Sequence, residues 1–292
     1  MNQRHLLLLL PLTACLTARP PSTERIDRTP ERVERGRYLA ENVADCLGCH
    51  SPRDWTQPFG PIVPGAIGSG GAPMTARDGV PGSAVPGNLT PDLETGLGGA
   101  TDGELIRAIR EGVGHDGRAL FPSMPYRRYR VLSDDDVRSI VAYLRTLQPV
   151  KRAQPATRID FPVSLFIRGV PKPVDGTVET PLSEKDRGHY LVSLAGCRDC
   201  HSPVDSRGRV PEGKAFTGGR VFEAEGFRCE SPPLDGSPNS KLQGLTRDGF
   251  IARFRTTSPP AANTVMPWPA FRGLSDDDLA AIYSVLTAKE LR

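Results

Sequence analysis

The stretch Cys46-Leu47-Gly48-Cys49-His50 decides the reading of this chain, and it returns as Cys197-Arg198-Asp199-Cys200-His201. Both copies are followed by Ser-Pro. C-x-x-C-H is the attachment signature of a c-type haem. Two thiols three positions apart suit thioether bonds to the two haem vinyls, and the adjacent imidazole then lies under the iron as proximal ligand. A thioredoxin-like redox couple and half of a zinc site also use a C-x-x-C pair. Zinc would need ligands that these segments do not supply, and each copy has a Met-Pro downstream, so the pattern predicts two covalently bound haems c.

The surroundings of the motif repeat as well. Arg35-Gly36-Arg37-Tyr38-Leu39 precedes the first copy and Arg187-Gly188-His189-Tyr190-Leu191 the second, one residue closer to it. Met124-Pro125-Tyr126 matches Met266-Pro267-Trp268, and Ser-Asp-Asp-Asp follows at Ser133 and at Ser275. Order and spacing are kept, so the halves are versions of one unit. A chain of 292 residues accommodates two domains of ordinary size. With aromatics at 6%, Gly 30 and Pro 29, protein side chains alone would build modest, loop-rich cores. A haem in each domain would supply the missing apolar mass. The formal charge of +3 and the absence of a long basic run argue against a nucleic-acid binder.

The N-terminus reads as a targeting segment. Arg4 and His5 are followed by the apolar run Leu6 to Leu12, interrupted by Pro11, and then by Leu12-Thr13-Ala14-Cys15. A membrane span needs ~20 apolar residues, and this run is far shorter. It resembles a bacterial lipoprotein signal, with cleavage before Cys15 and lipid on that residue. The expected organisation is a signal at 1–14, a flexible tether at 15–29, a first domain at 30–150, a linker at 151–182 and a second domain at 183–292. Four Cys are assigned to haem and Cys15 to lipid, which leaves Cys229 without a role.

Each unit reads as a small helical domain, giving an all-α fold with long Gly/Pro-rich loops. Thr29-Pro30 predicts a helix start, and the helix runs on to the first haem motif. Ser133 with Asp136 resembles a capping box, after which Val137, Ile140, Val141, Leu144 and Leu147 form one apolar face. Ser275, Asp278, Leu279, Ile282, Tyr283 and Leu286 repeat the arrangement. A shorter helix is expected from about Thr101 to Glu111, with a counterpart from about Thr246 to Arg255. Gly36 and Gly188 suggest close helix crossings, with Tyr143 and Tyr283 as opposite numbers. The linker's apolar centre, Phe161 to Ile167, is expected to lie against the domains. Residues 56–100 read as a long loop at the haem edge.

Met124 and Met266, each in a Met-Pro just before the last helix of its unit, are the candidate sixth ligands. Thioether sulfur suits low-spin iron and raises its potential relative to a second His. His115 and His189 compete less well, since one reads as a loop residue and the other aligns with Arg37. The expected metal ligands are therefore His50, Met124, His201 and Met266, with Cys46, Cys49, Cys197 and Cys200 completing the cofactor sites.

On these motifs, on Gly87-Asn88-Leu89-Thr90-Pro91-Asp92 to Gly98, and on Asp116-Gly117-Arg118 to Met124-Pro125, the units resemble class I cytochrome c domains. The whole chain resembles the multihaem cytochrome subunits of membrane-associated bacterial dehydrogenases. The second domain departs from the pattern, with Ser231 to Gly244 in place of the Asn-x-Thr-Pro-Asp loop, and Ala100 stands where the family often has Trp. Those subunits commonly carry three haems, against two motifs here. The resemblance implies an electron carrier rather than an enzyme, lipid-anchored on the periplasmic side of a bacterial membrane. Its partners would be a dehydrogenase upstream and an oxidase or soluble cytochrome downstream. Arg110 and Arg118 would neutralise haem propionates, and Arg127, Arg128 and Arg130 could steer an acidic redox partner. The alternative is a dihaem cytochrome c peroxidase-like enzyme, which would need one iron with an open or displaceable sixth position.

Overall fold

The computed structural model describes residues 19–206, 208–224, 227–256 and 264–288. The signal segment and Cys15 lie outside the described residues. The first half contains α1 (Pro30–Tyr38), α2 (Cys46–Cys49), β1 (Gly82–Ser83), α3 (Asp102–Glu111), α4 (Tyr126–Tyr129) and α5 (Asp134–Leu144). The linker carries β2 (Arg158–Ile159) and α6 (Val163–Phe166). The second half contains α7 (Glu184–Leu194), α8 (Cys197–Cys200), β3 (Val221–Ala224), β4 (Phe227–Glu230), α9 (Arg247–Arg255), α10 (Trp268–Phe271) and α11 (Asp276–Thr287). The strands form only two short antiparallel ribbons, β1 with β2 and β3 with β4, so the fold is helical as expected. Among the described residues no helix is long and apolar enough to cross a membrane.

The helix starts follow the sequence. The Thr29 hydroxyl accepts from the Arg32 N–H and Pro30 takes the first helical position, where its missing N–H costs nothing. Thr101 and Glu104 form a reciprocal capping box on α3. The extra residue of the first copy also finds its place. α1 runs into a π-turn at Leu39–Val43, where the Ala44 N–H reaches back to the Leu39 carbonyl at 2.8 Å, whereas α7 remains α-helical throughout. A π-turn closes with i→i+5 bonds and so absorbs one more residue than an α-turn.

In each half the first and last helices cross where a glycine lets them. A Cβ on Gly36 would overlap the Ser139 carbonyl and press on Tyr143, and one on Gly188 would overlap the Ala281 carbonyl and press on Val285. The expectation for Tyr143 holds. In the second half Val285 is the opposite number instead of Tyr283, whose hydroxyl donates to the Leu245 carbonyl at 2.6 Å. Val137, Ile140, Leu144 and Leu147 of the first half and Leu279, Ile282, Val285 and Leu286 of the second are buried in one apolar cluster that runs through both halves.

The capping boxes at Ser133 and Ser275 are only half formed, for a reason the sequence does not display. Each Ser hydroxyl accepts the N–H three residues on, at 3.1 Å. The reciprocal partner of the Ser N–H is a tyrosine of the other half: Ser133 N–H donates to the Tyr190 hydroxyl and Ser275 N–H to the Tyr38 hydroxyl, both at 3.1 Å. Those hydroxyls in turn donate to Asp136 (2.7 Å) and Asp278 (2.5 Å). Arg35 grips Asp136 through two 2.8 Å hydrogen bonds, and Arg187 lies 3.4 Å from Asp278. The contacts between halves are thus reciprocal, as in an isologous dimer built within one chain.

Two connecting segments depart from expectation. Residues 19–29, expected as part of a free tether, lie along α3 and α5: the Ile26 N–H donates to Asp102 at 3.0 Å, Arg19 pairs with Glu111 at 3.1 Å and Glu24 with Arg138 at 2.8 Å. These polar bonds and the packing of Ser22 on Gly103 tie the tail down. The linker is held on the first domain by the β1–β2 ribbon and by Arg130, which binds the carbonyls of Lys172 and Pro173. Its apolar centre does not pack as expected, because Phe161, Leu165 and Phe166 are exposed.

Candidate functional site

α2 and α8 are single turns that project both Cys of a motif from one side and end at the His. Each is entered through a left-handed residue, Asp45 (φ 48°) in the first copy and Gly196 (φ 70°) in the second. The imidazoles are oriented identically although the loops around them differ. His50 Nδ1 lies 2.8 Å from the Gly87 carbonyl oxygen, and His201 Nδ1 lies 2.8 Å from the Pro232 carbonyl oxygen. A carbonyl only accepts, so Nδ1 carries the proton in both rings and Nε2 keeps its lone pair. Burial lowers the pKa of both imidazoles against the raising effect of that hydrogen bond, which favours the neutral, metal-ligating form. An outer carbonyl fixing the tautomer is the usual support of a His ligand.

The segment after each motif is held by matched bonds. Ser51 and Ser202, both fully buried, accept from the N–H groups of Gly68 and Phe216 at 2.9 Å. The carbonyls of His50 and His201 accept from Gly70 and Gly218 at 2.8 and 2.9 Å. In the first domain the Gly87 loop is knotted by Asn88, which accepts from Thr90 and donates to the Val150 carbonyl at 2.8 Å. The second domain lacks that Asn loop, yet Leu234 bonds to Phe216 as Leu89 bonds to Gly68, and Pro232 supplies the His carbonyl. Gly87 and Pro232 act through backbone oxygens, which leave no side-chain signature, and for that reason sequence reasoning missed them.

Met124 and Met266 occupy matching turns. The carbonyl of each accepts from the N–H two residues on at 2.8 Å, around Pro125 (φ −82°, ψ 45°) and Pro267 (φ −78°, ψ 62°). These are inverse γ-turns, for which the fixed φ of Pro is suited. In the second domain Met266 lines an apolar cavity of about 660 Å³ together with Cys197, Cys200, His201, Phe250 and Phe254. That size is ordinary for a cofactor cleft. In the first domain Met124, Cys46 and Leu89 are partly buried and each packs against the core cluster. His115 and His189 are exposed and stand apart from these positions. Cys229 lines the second cavity but has no assigned chemistry.

The competing chemistries find no support. Burial pushes the Cys46 and Cys197 thiols up to about 12, opposite to the lowered thiol pKa that a thioredoxin-like couple needs. Among the described residues no three His, Cys, Asp or Glu side chains gather as a metal site, so zinc lacks its further ligands. A haem fits the donor set of each copy, two neutral thiols, an imidazole with Nε2 available and a thioether sulfur, and in the second domain the apolar cleft as well.

Arg110 is buried and pairs through Nη1 with Asp134 at 2.6 Å, while its Nε and Nη2 have no hydrogen-bond partner among the described residues; Arg118 pairs with Asp116 at 3.2 Å. Of the expected steering cluster only Arg127 is exposed. Arg130 is tied to the linker, and Arg128 reaches Asp199 of the second haem motif at 3.2 Å.

Comparison with known proteins extends this geometry. The chain is 33% identical over 274 residues to the gluconate 2-dehydrogenase cytochrome c subunit of Pantoea cypripedii, covering 86% of this chain and 58% of that one. It is 30% identical over 288 residues to the cytochrome c subunit of the quinone-dependent alcohol dehydrogenase of Gluconobacter oxydans, covering 89% and 54%. The chain thus spans little more than half the length of these two relatives. No family model matches it. With a diheme c-type cytochrome of Cereibacter sphaeroides it is 32% identical over 250 residues, covering 82% of this chain and 80% of the other. A relative matched over most of both lengths shows the family directly: the chain belongs to the dihaem c-type cytochromes.

Proposed function

We propose that the chain is an electron carrier holding two haems c, one in each domain. Haem c supplies one-electron Fe(II)/Fe(III) chemistry when bound. His50 with Met124 and His201 with Met266 would hold the irons, and Cys46, Cys49, Cys197 and Cys200 would fix the haems by thioethers. The observation that carries this is the twin Nδ1–H···O=C bond, to Gly87 and to Pro232, which presents Nε2 identically in two differently built loops. The chain's own work is then to hold both ligands still, exclude water with the apolar cluster and keep the two domains in fixed contact.

The names of the relatives support a dehydrogenase catalytic subunit as donor. An oxidase or soluble cytochrome of the respiratory chain would be the acceptor. The lipoprotein-like signal supports an anchor at Cys15 on the periplasmic side of a bacterial membrane. A peroxidase would need one domain with an open sixth position, and the matching Met-Pro turns favour neither domain for that role.

Produced in a bacterial host with its cytochrome c maturation system, the chain is expected to contain two haems by alkaline pyridine haemochrome. The double variant Cys46→Ala/Cys49→Ala should retain one. A wild-type chain with one haem or none contradicts the reading. Cys15→Ala should move the protein from the membrane to the soluble periplasmic fraction, and a variant that stays in the membrane would refute the anchor.

A further inference from the structure

We propose that Arg128 is a single positive charge shared by the two haem sites, set between the two attachment motifs so that it raises both reduction potentials together. The proposal rests on the dihaem reading above. Arg128 belongs to α4 of the first domain, one turn beyond Met124, yet its guanidinium reaches the second motif: Nη1 lies 3.2 Å from Asp199 Oδ2. A Cβ at Gly196, the residue that enters the second motif, would overlap the guanidinium, so a glycine there is what admits the side chain. The left-handed Gly196 (φ 70°) corresponds to Asp45 in the first motif, so the opening exists on one side only. On its own domain the guanidinium lies over the Tyr129 ring, 5.3 Å from the centroid.

On the first-motif side, the Tyr129 ring beneath the guanidinium sends its hydroxyl to the Ala44 carbonyl at 2.9 Å, two residues before Cys46. The Arg128 side chain is 21% exposed, against 57% for its partner Asp199. Nε is buried and has no hydrogen-bond partner among the described residues. The device is not repeated, because Ala270 takes the corresponding place after Met266. A fixed, poorly solvated cation disfavours the ferric state, which carries one more positive charge than the ferrous state, and so raises the potential of whichever iron it faces. Placed between two motifs it acts on both.

Arg128 is a positioning residue, and charge can be separated from structure by comparing Arg128→Gln with Arg128→Lys in the haem-loaded protein. Potentiometric titration of Arg128→Gln should show the reduction equilibrium constant of each haem lowered about tenfold, ~59 mV for a one-electron couple. Arg128→Lys should stay near the wild type. Arg128→Met, which keeps an apolar stem for packing, carries the same expectation as Arg128→Gln and serves if that variant does not fold. A shift confined to one haem, no shift in either, or an equal fall in Arg128→Lys would overturn the proposal. Fewer than two haems in the wild type by pyridine haemochrome would overturn it together with the dihaem reading, whereas two haems with unmoved potentials would overturn it alone.

Discussion

His50 and His201 show how a residue's role is set by what holds it. Each ring is committed by one 2.8 Å bond from Nδ1, and the acceptor is a backbone carbonyl that mutation cannot easily remove. The replaceable part of each site is the methionine. On the proposed ligation, Met266→His should lower the potential of the second-domain haem, because imidazole would replace a thioether that favours Fe(II), while the first-domain haem keeps its value. Potentiometry resolves the two; a common shift would contradict independent ligation. The motif residues and the Met-Pro pairs were legible in the sequence because they repeat as side chains. Gly87, Pro232 and the pairing of Arg110 with Asp134 were not, since a carbonyl acceptor or an ion-pair partner far along the chain has no local signature. Gly36 stands between these cases, visible as a helical glycine but explained only by the Ser139 carbonyl it touches. Gly36→Ala should lower unfolding stability by about 1–3 kcal/mol through overpacking, measured by denaturant titration of the holoprotein. An unchanged midpoint would refute the close crossing.

At the scale of elements, the N-termini of α5 and α11 are completed across the domain boundary. Ser133 and Ser275 were readable as caps, and Tyr38 and Tyr190 were readable as repeated residues. That each tyrosine finishes the other domain's cap depends on how the halves dock, which periodicity does not encode. Tyr190→Phe leaves the Ser133 N–H without its partner and removes one of the two donors to Asp136 Oδ2, which keeps Arg35, and should cost about 1–3 kcal/mol. Tyr38→Phe should act in the same sense at Ser275 and Asp278. Burial, helped by the neighbouring Asp278, pushes the Tyr38 hydroxyl up to about 12 from its ordinary value of 10.0. The folded state therefore holds this proton more tightly than the unfolded state. The corresponding stability is fully present below pH ~10 and is lost as pH rises from there through ~12. Alkaline unfolding monitored in this window should be shallower in Tyr38→Phe than in the wild type; identical curves would contradict the assignment.

For the whole molecule, the apolar cluster that runs through both halves and the paired tyrosine contacts make the tandem domains one body with two cofactor sites. The duplication itself was plain from the repeated motifs. The linker lies against the first domain as expected, but its hold there and that of residues 19–29 come from scattered polar bonds such as Ile26 to Asp102 and Arg130 to Pro173, which leave no apolar pattern to read. Two Met-ligated haems make a closed carrier, whereas one open iron would make a peroxide-reactive site. The most direct measurement is the weak long-wavelength absorption band of ferric iron bound to a thioether, recorded on the haem-loaded protein and titrated against potential. Two closed carrier haems should give intensity for two such irons, all of it lost on full reduction. Intensity for a single iron, accompanied by one high-spin ferric haem, would contradict the closed carrier.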